Sequence, residues 1–303
     1  QICLNRWQAT RSVVSEGLVT GISVSPVALR KPMSLAMSGG TVSAITGGRF
    51  ILGIGSGSIY RPDSRAGLGV PDISMLDVMR DYLISVRGLL AGNEVTHYSP
   101  MFELNKAVLG INPSPYTPVY LGALGPRMLR LSGELADGAA LNWCTSEQVT
   151  WSREQIIEGA KSVGRNPDEI RIAEYIRVCI DEDIEKARKG LAKAMLGYAL
   201  GPRGGNIKMG YRAHFDRMGF SGELTHIDSM RDKGATMDEM ADAVPEEMLS
   251  RVGYYGPPDG APDAITTLTT GLDIAIVRIV SARPGKDTVL NAMRACKPDL
   301  ITH

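Results

Sequence analysis

Apolar runs without internal alternation recur along the chain, and most of them end in glycine, serine or proline. Unbroken apolar runs are typical of strands that are covered on both faces, and glycine, serine and proline are typical of the turns that follow. This pattern predicts six strands, over residues 18–26, 49–58, 118–124, 139–143, 170–180 and 272–281.

Amphipathic segments separate these runs. The clearest one is followed by Gly92, and its apolar residues recur at spacings of four, three, four and three: Met75, Met79, Tyr82, Val86 and Leu89. That spacing predicts a helix with one apolar face. Further helices are predicted over 30–48, 125–138, 146–164, 181–201 and 286–298, a polar loop over 59–72 and a hairpin within 93–117.

The order of these elements predicts the fold class. Nearly every predicted strand is followed by a helix, and repeated strand–helix units imply an α/β protein with a parallel sheet, either doubly wound or closed as a barrel. Residues 202–260 break the alternation and predict a helical insertion before the last strand. A closed barrel of this type needs eight strands, so about two strands are expected ahead of Gln1.

Composition narrows the class of partner. The 303 residues include 33 basic and 33 acidic side chains, so no net charge favours nucleic acid or an acidic membrane surface, and a small molecule is the expected partner. The 4 cysteines are scattered and signal neither a metal site nor a disulfide framework, which is typical of a cytoplasmic protein. No apolar run has the length of a membrane span.

Two glycine-bearing segments follow predicted strands. In GIGSGS, residues 53–58, the hydroxyls of Ser56 and Ser58 and the amide of Gly57 could contact a flat ring or its tail, although a bulge at a barrel rim would use the same residues. In LGALGPRM, residues 121–128, a strand leads directly into a helix, whose free amides favour an anion such as phosphate. An ordinary strand–helix turn that binds no ligand would have the same sequence pattern.

Several other chemistries find no support. The glycines at 53, 55 and 57 do not have the spacing of a dinucleotide-binding fingerprint, and no acidic residue follows at the next strand end. The 4 histidines show neither a metal-binding nor a triad pattern, and no nucleophile elbow or Schiff-base lysine at a strand end is visible. No metal site is therefore predicted.

As a set, the segments TGISVSP, TGGRFILGIGSGS, PVYLGALGPRMLRLSGELADGAALNW and GRNPDEI resemble the luciferase-like oxidoreductases of the bacterial luciferase superfamily. The resemblance is strongest to the branch that uses the deazaflavin coenzyme F-420, which includes methylenetetrahydromethanopterin reductase. It implies a TIM-type (β/α)8 barrel, usually a homodimer, with residues 1–303 as one domain and 202–260 as its insertion. It also implies hydride transfer between reduced F-420 and a small organic substrate.

The resemblance also implies a set of cofactor-binding residues. A non-proline cis peptide under the cofactor ring falls on Ser23 and Val24, and Ser25 lies near the cofactor. Two further implied contacts, Ser56 and Gly57, follow the next strand. The remaining four lie on the phosphate side of the cofactor: Leu124, Gly125, Arg127 and Met128. No catalytic residue is assigned.

Two departures keep alternatives open. Ser58 stands where some deazaflavin-dependent dehydrogenases carry an acidic proton acceptor, which disfavours their sugar-phosphate chemistry. The first two strands, which carry acidic or histidine side chains in the family, are not found after Gln1. The alternatives are an FMN-dependent monooxygenase of the same superfamily and a non-catalytic, truncated paralogue.

Overall fold

The computed structural model describes residues 19–59, 61–111, 116–201 and 207–297. Contacts along the chain divide it into two compact units. Unit 1 comprises Gln1–Ala140 and Glu154–Arg171, and unit 2 comprises Leu141–Arg153 and Ile172–His303. None of the helices in the described ranges combines the length and the apolar character needed to cross a bilayer.

Unit 1 is built on parallel strands. In chain order its elements are β1 (Thr20–Pro26), α1 (Pro32–Ile45), β2 (Phe50–Gly55), α2 (Pro62–Gly67), α3 (Met75–Leu90), the antiparallel hairpin β3 (Val95–Ser99) and β4 (Phe102–Ala107), β5 (Val119–Gly122), α4 (Pro126–Leu135) and β6 (Gly138–Asn142), whose last two residues belong to unit 2. Helix α5 (Ser146–Ser162) ends in this unit. The parallel strands follow the order β1-β2-β5-β6, as repeated strand–helix units require.

Helix α3 forms as its spacing predicts. The Ser74 hydroxyl accepts a hydrogen bond from the Asp77 amide at 3.4 Å and caps the first turn. Four of the five predicted apolar positions are fully buried: Met79, Tyr82, Val86 and Leu89. The Tyr82 hydroxyl lies 3.0 Å from the Val27 carbonyl and 3.1 Å from the Arg30 carbonyl, so it donates to the turn that follows β1.

A carboxylate fixes the start of two strands in unit 1. Asp137 immediately precedes β6, and its side chain accepts from the Val119 amide, at the start of β5, and from Arg87 of α3, each at 2.8 Å. The Asp137 amide donates in turn to the Val119 carbonyl at 2.9 Å. These bonds replace water around backbone groups that a strand end would otherwise leave unpaired.

In unit 2 an aspartate also precedes a strand and accepts hydrogen bonds from a backbone amide and an arginine. Its elements are β7 (Arg171–Ile180), α6 (Ile184–Ala199), α7 (Gly210–Arg217), α8 (Ser221–Asp232), α9 (Met237–Asp242), α10 (Glu246–Ser250), β8 (Gly253–Gly256), α11 (Ala261–Leu268), β9 (Ile274–Ile279) and α12 (Lys286–Ala295). Strands β8 and β9 both run parallel to β7. Asp273 precedes β9 and accepts from the Ile172 amide at 2.8 Å and from Arg153 at 2.9 Å.

Two elements differ from the sequence prediction. The predicted polar loop over 59–72 contains helix α2, whose Pro62 occupies a first-turn position that needs no amide hydrogen. The predicted helical insertion contains strand β8, the sequence GYYG, which carries no apolar run of the kind that marks the other strands. The single domain over 1–303, its insertion over 202–260 and the strands ahead of Gln1 stay predictions.

Candidate functional site

The two glycine-bearing segments begin at one edge of the unit 1 sheet. Strand β2 lies between β1 and β5, and the register pairs Pro26 with Gly55 and Ile54 with Leu121. Since all three strands run in parallel, the residues after their carboxyl ends leave the sheet on the same side. The structure therefore brings Ser56 and Gly57 together with Ala123 to Gly125, as the sequence predicts. Ligands of parallel α/β sheets bind outside this edge.

Strand β1 is irregular where it reaches that edge. The Ser23–Val24 peptide bond is cis, at the position that the resemblance implies, and the register with β2 shifts between Ile22 and Ser25. Ser25 is buried with 1% of its surface exposed, whereas Ser23 and Val24 are half-buried. The cis peptide and the register shift therefore lie where β1 reaches the edge of the sheet beside β2.

Glycines in β2 and β5 accommodate Val24. A Cβ on Gly55 would lie 2.5 Å from a methyl group of Val24, and one on Gly122 would lie 3.3 Å from both methyl groups. A Cβ on Gly53 would lie 2.1 Å from the Ile22 carbonyl oxygen. The need for glycine at 53 and 55 therefore comes from packing between neighbouring strands. Space for a ligand is therefore expected beside the residues that follow Gly55, which are Ser56 and Gly57.

Those following residues form an open rim. Gly57 is exposed and has a φ of 60°, a left-handed conformation that glycine adopts without strain, and Ser56 is half-buried beside it. A Cβ on Gly57 would lie 3.0 Å from Pro26, so the turn after β2 packs closely on the end of β1. Small side chains and backbone amides are therefore what this part of the rim offers to a ligand.

The start of α4 fits an anionic group. Gly125 is its N-cap, and the first amide bonded within the helix is that of Leu129, which donates to the Gly125 carbonyl at 3.0 Å. The amides of Arg127 and Met128 come before it and lie at the positive end of the helix dipole. The first turn holds no acidic residue, and Arg127 is exposed. A Cβ on Gly125 would meet no atom within 4 Å, so a ligand can approach the backbone here, beside the half-buried Leu124.

The sequence analysis missed a buried polar cluster in unit 2. Trp143 directly follows β6, is fully buried and has a φ of 57°, which is rare for a bulky residue. The guanidinium of Arg177, from β7, lies 4.3 Å from the centroid of its ring. Arg177 also donates to the side-chain oxygen of Asn142 and, at 3.4 Å, to the Tyr175 carbonyl.

Three titratable groups surround this cluster, and burial keeps each of them neutral near pH 7. Glu174 accepts from the Cys144 amide at 2.6 Å, and burial raises the pKa of Glu174 to about 8. His214 has its Nε2 atom 2.9 Å from the Trp143 carbonyl, and burial lowers the pKa of His214 to about 4. Burial also raises the pKa of the Cys144 thiol well above its ordinary value. A thiol in such surroundings is unreactive.

One sequence signal could have revealed this cluster. The strand IRIAEYIRVCI carries Glu174 and Arg177 within an otherwise apolar run, and both are buried, with 1% and 3% of their surface exposed. Charged side chains are rarely buried without a specific role. Their partners lie in three distant segments, and no spacing in the sequence connects them.

Comparison with known proteins agrees with this architecture. The family model described as luciferase-like monooxygenase matches residues 14–272. A 5,10-methylenetetrahydromethanopterin reductase from Methanolobus tindarius is 30% identical over 264 residues, which cover 87% of this chain and 77% of that protein. The corresponding reductase from Archaeoglobus fulgidus is 27% identical, with coverages of 84% and 73%.

A solved structure shows the fold. The coenzyme F420 dependent tetrahydromethanopterin reductase from Methanopyrus kandleri superposes with a TM-score of 0.73 at 22% identity, over 96% of this chain and 85% of that one. This likeness confirms the predicted α/β fold of the TIM-barrel type. With the family model matching residues 14–272, the chain belongs to the luciferase-like monooxygenase family.

Proposed function

We propose that this protein is an oxidoreductase that transfers a hydride between coenzyme F-420 and a small organic substrate. The observation that carries the proposal is the meeting of the ends of β1, β2 and β5 with the start of α4 at one edge of unit 1. The relatives named above support the choice of F-420, because the Methanopyrus kandleri reductase is described as dependent on that coenzyme.

The residues of this edge divide into two groups by the chemistry that they offer. Ser23, Val24, Ser25, Ser56 and Gly57 present backbone and small neutral groups, which suit the face of a flat ring. Leu124, Gly125, Arg127 and Met128 surround the start of α4, where amides and a cationic side chain suit a phosphate. When bound, F-420 would supply the carbon that gives or accepts the hydride.

The contribution of the chain itself is placement. Val24 and the glycines beneath it form a closely packed support, so a ring lying there would be held by shape rather than by charge. The start of α4 would fix the anionic tail and thereby the position of the ring. Among these nine residues only Arg127 has an ionisable side chain, so any proton transfer in the reaction depends on groups outside the set.

The FMN-dependent monooxygenase remains the second candidate, because the family model that matches is described as a monooxygenase. Both candidates use the same edge, and they differ in the ring that it holds. We also propose that the protein is a homodimer, as the resemblance implies, and that it is cytoplasmic, as its scattered cysteines indicate.

Titration of the purified protein with F-420 and with FMN, followed by cofactor fluorescence, tests the proposal. We expect saturable binding of F-420 that is at least about tenfold tighter than that of FMN. The variant Gly125→Val should weaken F-420 binding at least about tenfold without unfolding the protein, since a Cβ at this position meets open space.

Gly110→Val is the matched control, because a Cβ on Gly110 also meets no atom within 4 Å and the residue lies outside the candidate site. It should bind F-420 as the wild-type protein does. Binding of FMN alone would favour the monooxygenase. Binding of neither cofactor would favour the non-catalytic paralogue. Equal effects of Gly125→Val and Gly110→Val on F-420 binding would contradict the proposal that the start of α4 binds the phosphate of the cofactor.

A further inference from the structure

We infer that unit 2 contains an anion-binding site at Arg177, which takes the carboxylate or phosphate group of a small molecule. The site comprises Arg177, the indole of Trp143, the side-chain amide of Asn142 and the tyrosines at 198 and 211. All of its residues belong to unit 2.

Arg177 is a buried cation that lacks a carboxylate partner. Only 3% of its surface is exposed, and its hydrogen-bond acceptors are neutral oxygens, those of the Asn142 side chain, the Tyr175 carbonyl and the Tyr198 hydroxyl. Within the described part of the chain, no Asp or Glu oxygen lies within 4.0 Å of its guanidinium. Burial lowers the pKa of Arg177 from its ordinary value, but a guanidinium remains charged at neutral pH.

Glu174 is the carboxyl group on the same strand, three residues away, and it does not supply the missing charge at neutral pH. Its Oε1 atom accepts from the Cys144 amide, and burial raises the pKa of Glu174 to about 8. At neutral pH Glu174 is therefore mostly protonated, while Arg177 is charged. Among the residues that the structure describes, no ionised carboxylate then pairs with the positive charge of Arg177.

Aromatic rings surround the guanidinium but do not neutralise it. Its central carbon lies 4.3 Å from the centroid of Trp143, 5.3 Å from that of Tyr198 and 5.5 Å from that of Tyr175. Such contacts contribute up to about 2 kcal/mol in a desolvated site. Removing a charged group from water costs several kcal/mol more than this, unless an opposite charge accompanies it. An anionic ligand would supply that charge.

The other polar atoms nearby are mostly donors. The indole Nε1 of Trp143 is buried, and no acceptor for it is found among the described residues. The Asn142 amide nitrogen donates to the Tyr211 hydroxyl at 2.5 Å. A guanidinium, an indole N–H and phenol hydroxyls together match an oxyanion, which only accepts hydrogen bonds.

The tyrosines also provide a way in. Tyr198 keeps 36% of its surface exposed, and Tyr175 and Tyr211 are half-buried, so these rings form the boundary between the guanidinium and solvent. Tyr198 and Tyr211 pack edge to face with centroids 4.7 Å apart. Tyr198 lies on helix α6, so we expect that rotation of its side chain would open a path to Arg177 without movement of a strand.

Trp143 provides the readout, because it lies against Arg177. We would use the full chain with Trp7→Phe and Trp151→Phe, which leaves Trp143 as the one tryptophan of the 3 in the sequence. Inorganic phosphate and glutarate are added separately at constant ionic strength, without any flavin or deazaflavin. We expect a saturable change in fluorescence with at least one of the two anions, and that anion identifies the chemistry preferred by the site.

Arg177→Gln should weaken binding at least about tenfold, and Arg177→Lys should weaken it less, because a lysine keeps the charge but loses the planar fork. The matched control is Arg278→Gln. Arg278 lies 5.5 Å from the same Tyr175 ring but is exposed on β9, so this variant removes one positive charge and should leave the affinity unchanged.

The absence of a saturable signal in the protein with native Arg177, or equal affinities in the Arg177→Gln and Arg278→Gln variants, would overturn the inference. If Arg177→Gln does not fold, the thermal midpoint decides. Phosphate or glutarate should then raise the Tm of the wild-type protein and of Arg278→Gln by the same amount, and that of Arg177→Lys by less. An equal rise in all three would count against the site. Since no F-420 is present, failure of the F-420 proposal leaves each of these outcomes unchanged.

Discussion

The edge of unit 1 and the cluster around Arg177 in unit 2 use opposite chemistry. The edge of unit 1 consists of glycines, serines and backbone amides, and its one charged side chain, Arg127, is exposed. The unit 2 cluster buries Glu174, Arg177 and His214 among large aromatic rings. The first arrangement selects a ligand by shape at little cost to stability. The second is costly in the absence of a ligand, which is the reason to regard it as a binding site.

The largest expected effect tests how tightly the unit 1 edge is packed. Gly53→Ala places a Cβ 2.1 Å from the Ile22 carbonyl oxygen, so β1 and β2 must move apart. We expect a loss of about 3 kcal/mol or more in the free energy of unfolding, measured by urea denaturation. Gly110→Ala, in open space, is the control and should change this free energy by less than about 0.5 kcal/mol. Similar values for the two variants would contradict the close contact between the strands.

A smaller effect should appear when the pH is varied around the unit 2 cluster. Glu174 keeps its proton up to about pH 8 in the folded protein, whereas its ordinary pKa is 4.5. The stability that it contributes is complete below pH 4.5 and is lost as the pH rises through 8. Between pH 6.5 and 8 the wild-type protein should lose about 2 kcal/mol of unfolding free energy relative to Glu174→Gln.

His214 acts in the opposite direction. Its pKa is about 4 in the folded protein and 6.5 ordinarily, so stability is lost as the pH falls from 6.5 towards 4. Between pH 4.5 and 6.5 the two groups offset each other in the wild-type protein, and Glu174→Gln should expose the loss due to His214. Glu154→Gln, at an exposed position of α5, controls for the substitution. Parallel curves for wild type and Glu174→Gln would mean that Glu174 does not hold its proton.

The smallest effect concerns a feature that the two units share. Asp137 and Asp273 each precede a strand, accept from the amide of a neighbouring strand and bind an arginine from a helix. Asp137→Ala and Asp273→Ala should each lower the free energy of unfolding by about 1–2 kcal/mol in urea denaturation. Asp232→Ala, at an exposed position, should change it little. A loss at one aspartate alone would show that the two are not equivalent.

Local features of the chain were predicted well, because their causes lie within a few residues of each other. The apolar spacing predicts helix α3, and the alternation of strands with helices predicts a parallel sheet. The segment GIGSGS, which includes the glycines at 53 and 55, was expected to contact a ligand, and it does lie at the candidate edge. The reason that they are glycine is different: Val24 and the Ile22 carbonyl, some thirty residues earlier in the chain, occupy the space above them.

The unit 2 cluster could not be predicted, since its members are joined only by the fold. Trp143 meets Arg177 because β6 is followed at once by a left-handed turn, and His214 joins them from α7. The sequence shows two charged residues in an apolar strand and nothing about what surrounds them. Strand β8 escaped prediction for a related reason, because GYYG is held in place by its pairing with β7 and not by its own composition.

The hydroxyl of Tyr82 ties the first strand of the candidate site to a helix. It lies within 3.1 Å of two carbonyl oxygens in the turn after β1, and burial raises the pKa of Tyr82 to about 12, so it stays a donor under all ordinary conditions. Local opening of that turn must break this bond or carry α3 along with it. We therefore expect the turn and the helix to exchange their amide hydrogens as one cooperative segment, so that the helix limits the motion of the turn beside the proposed cofactor edge.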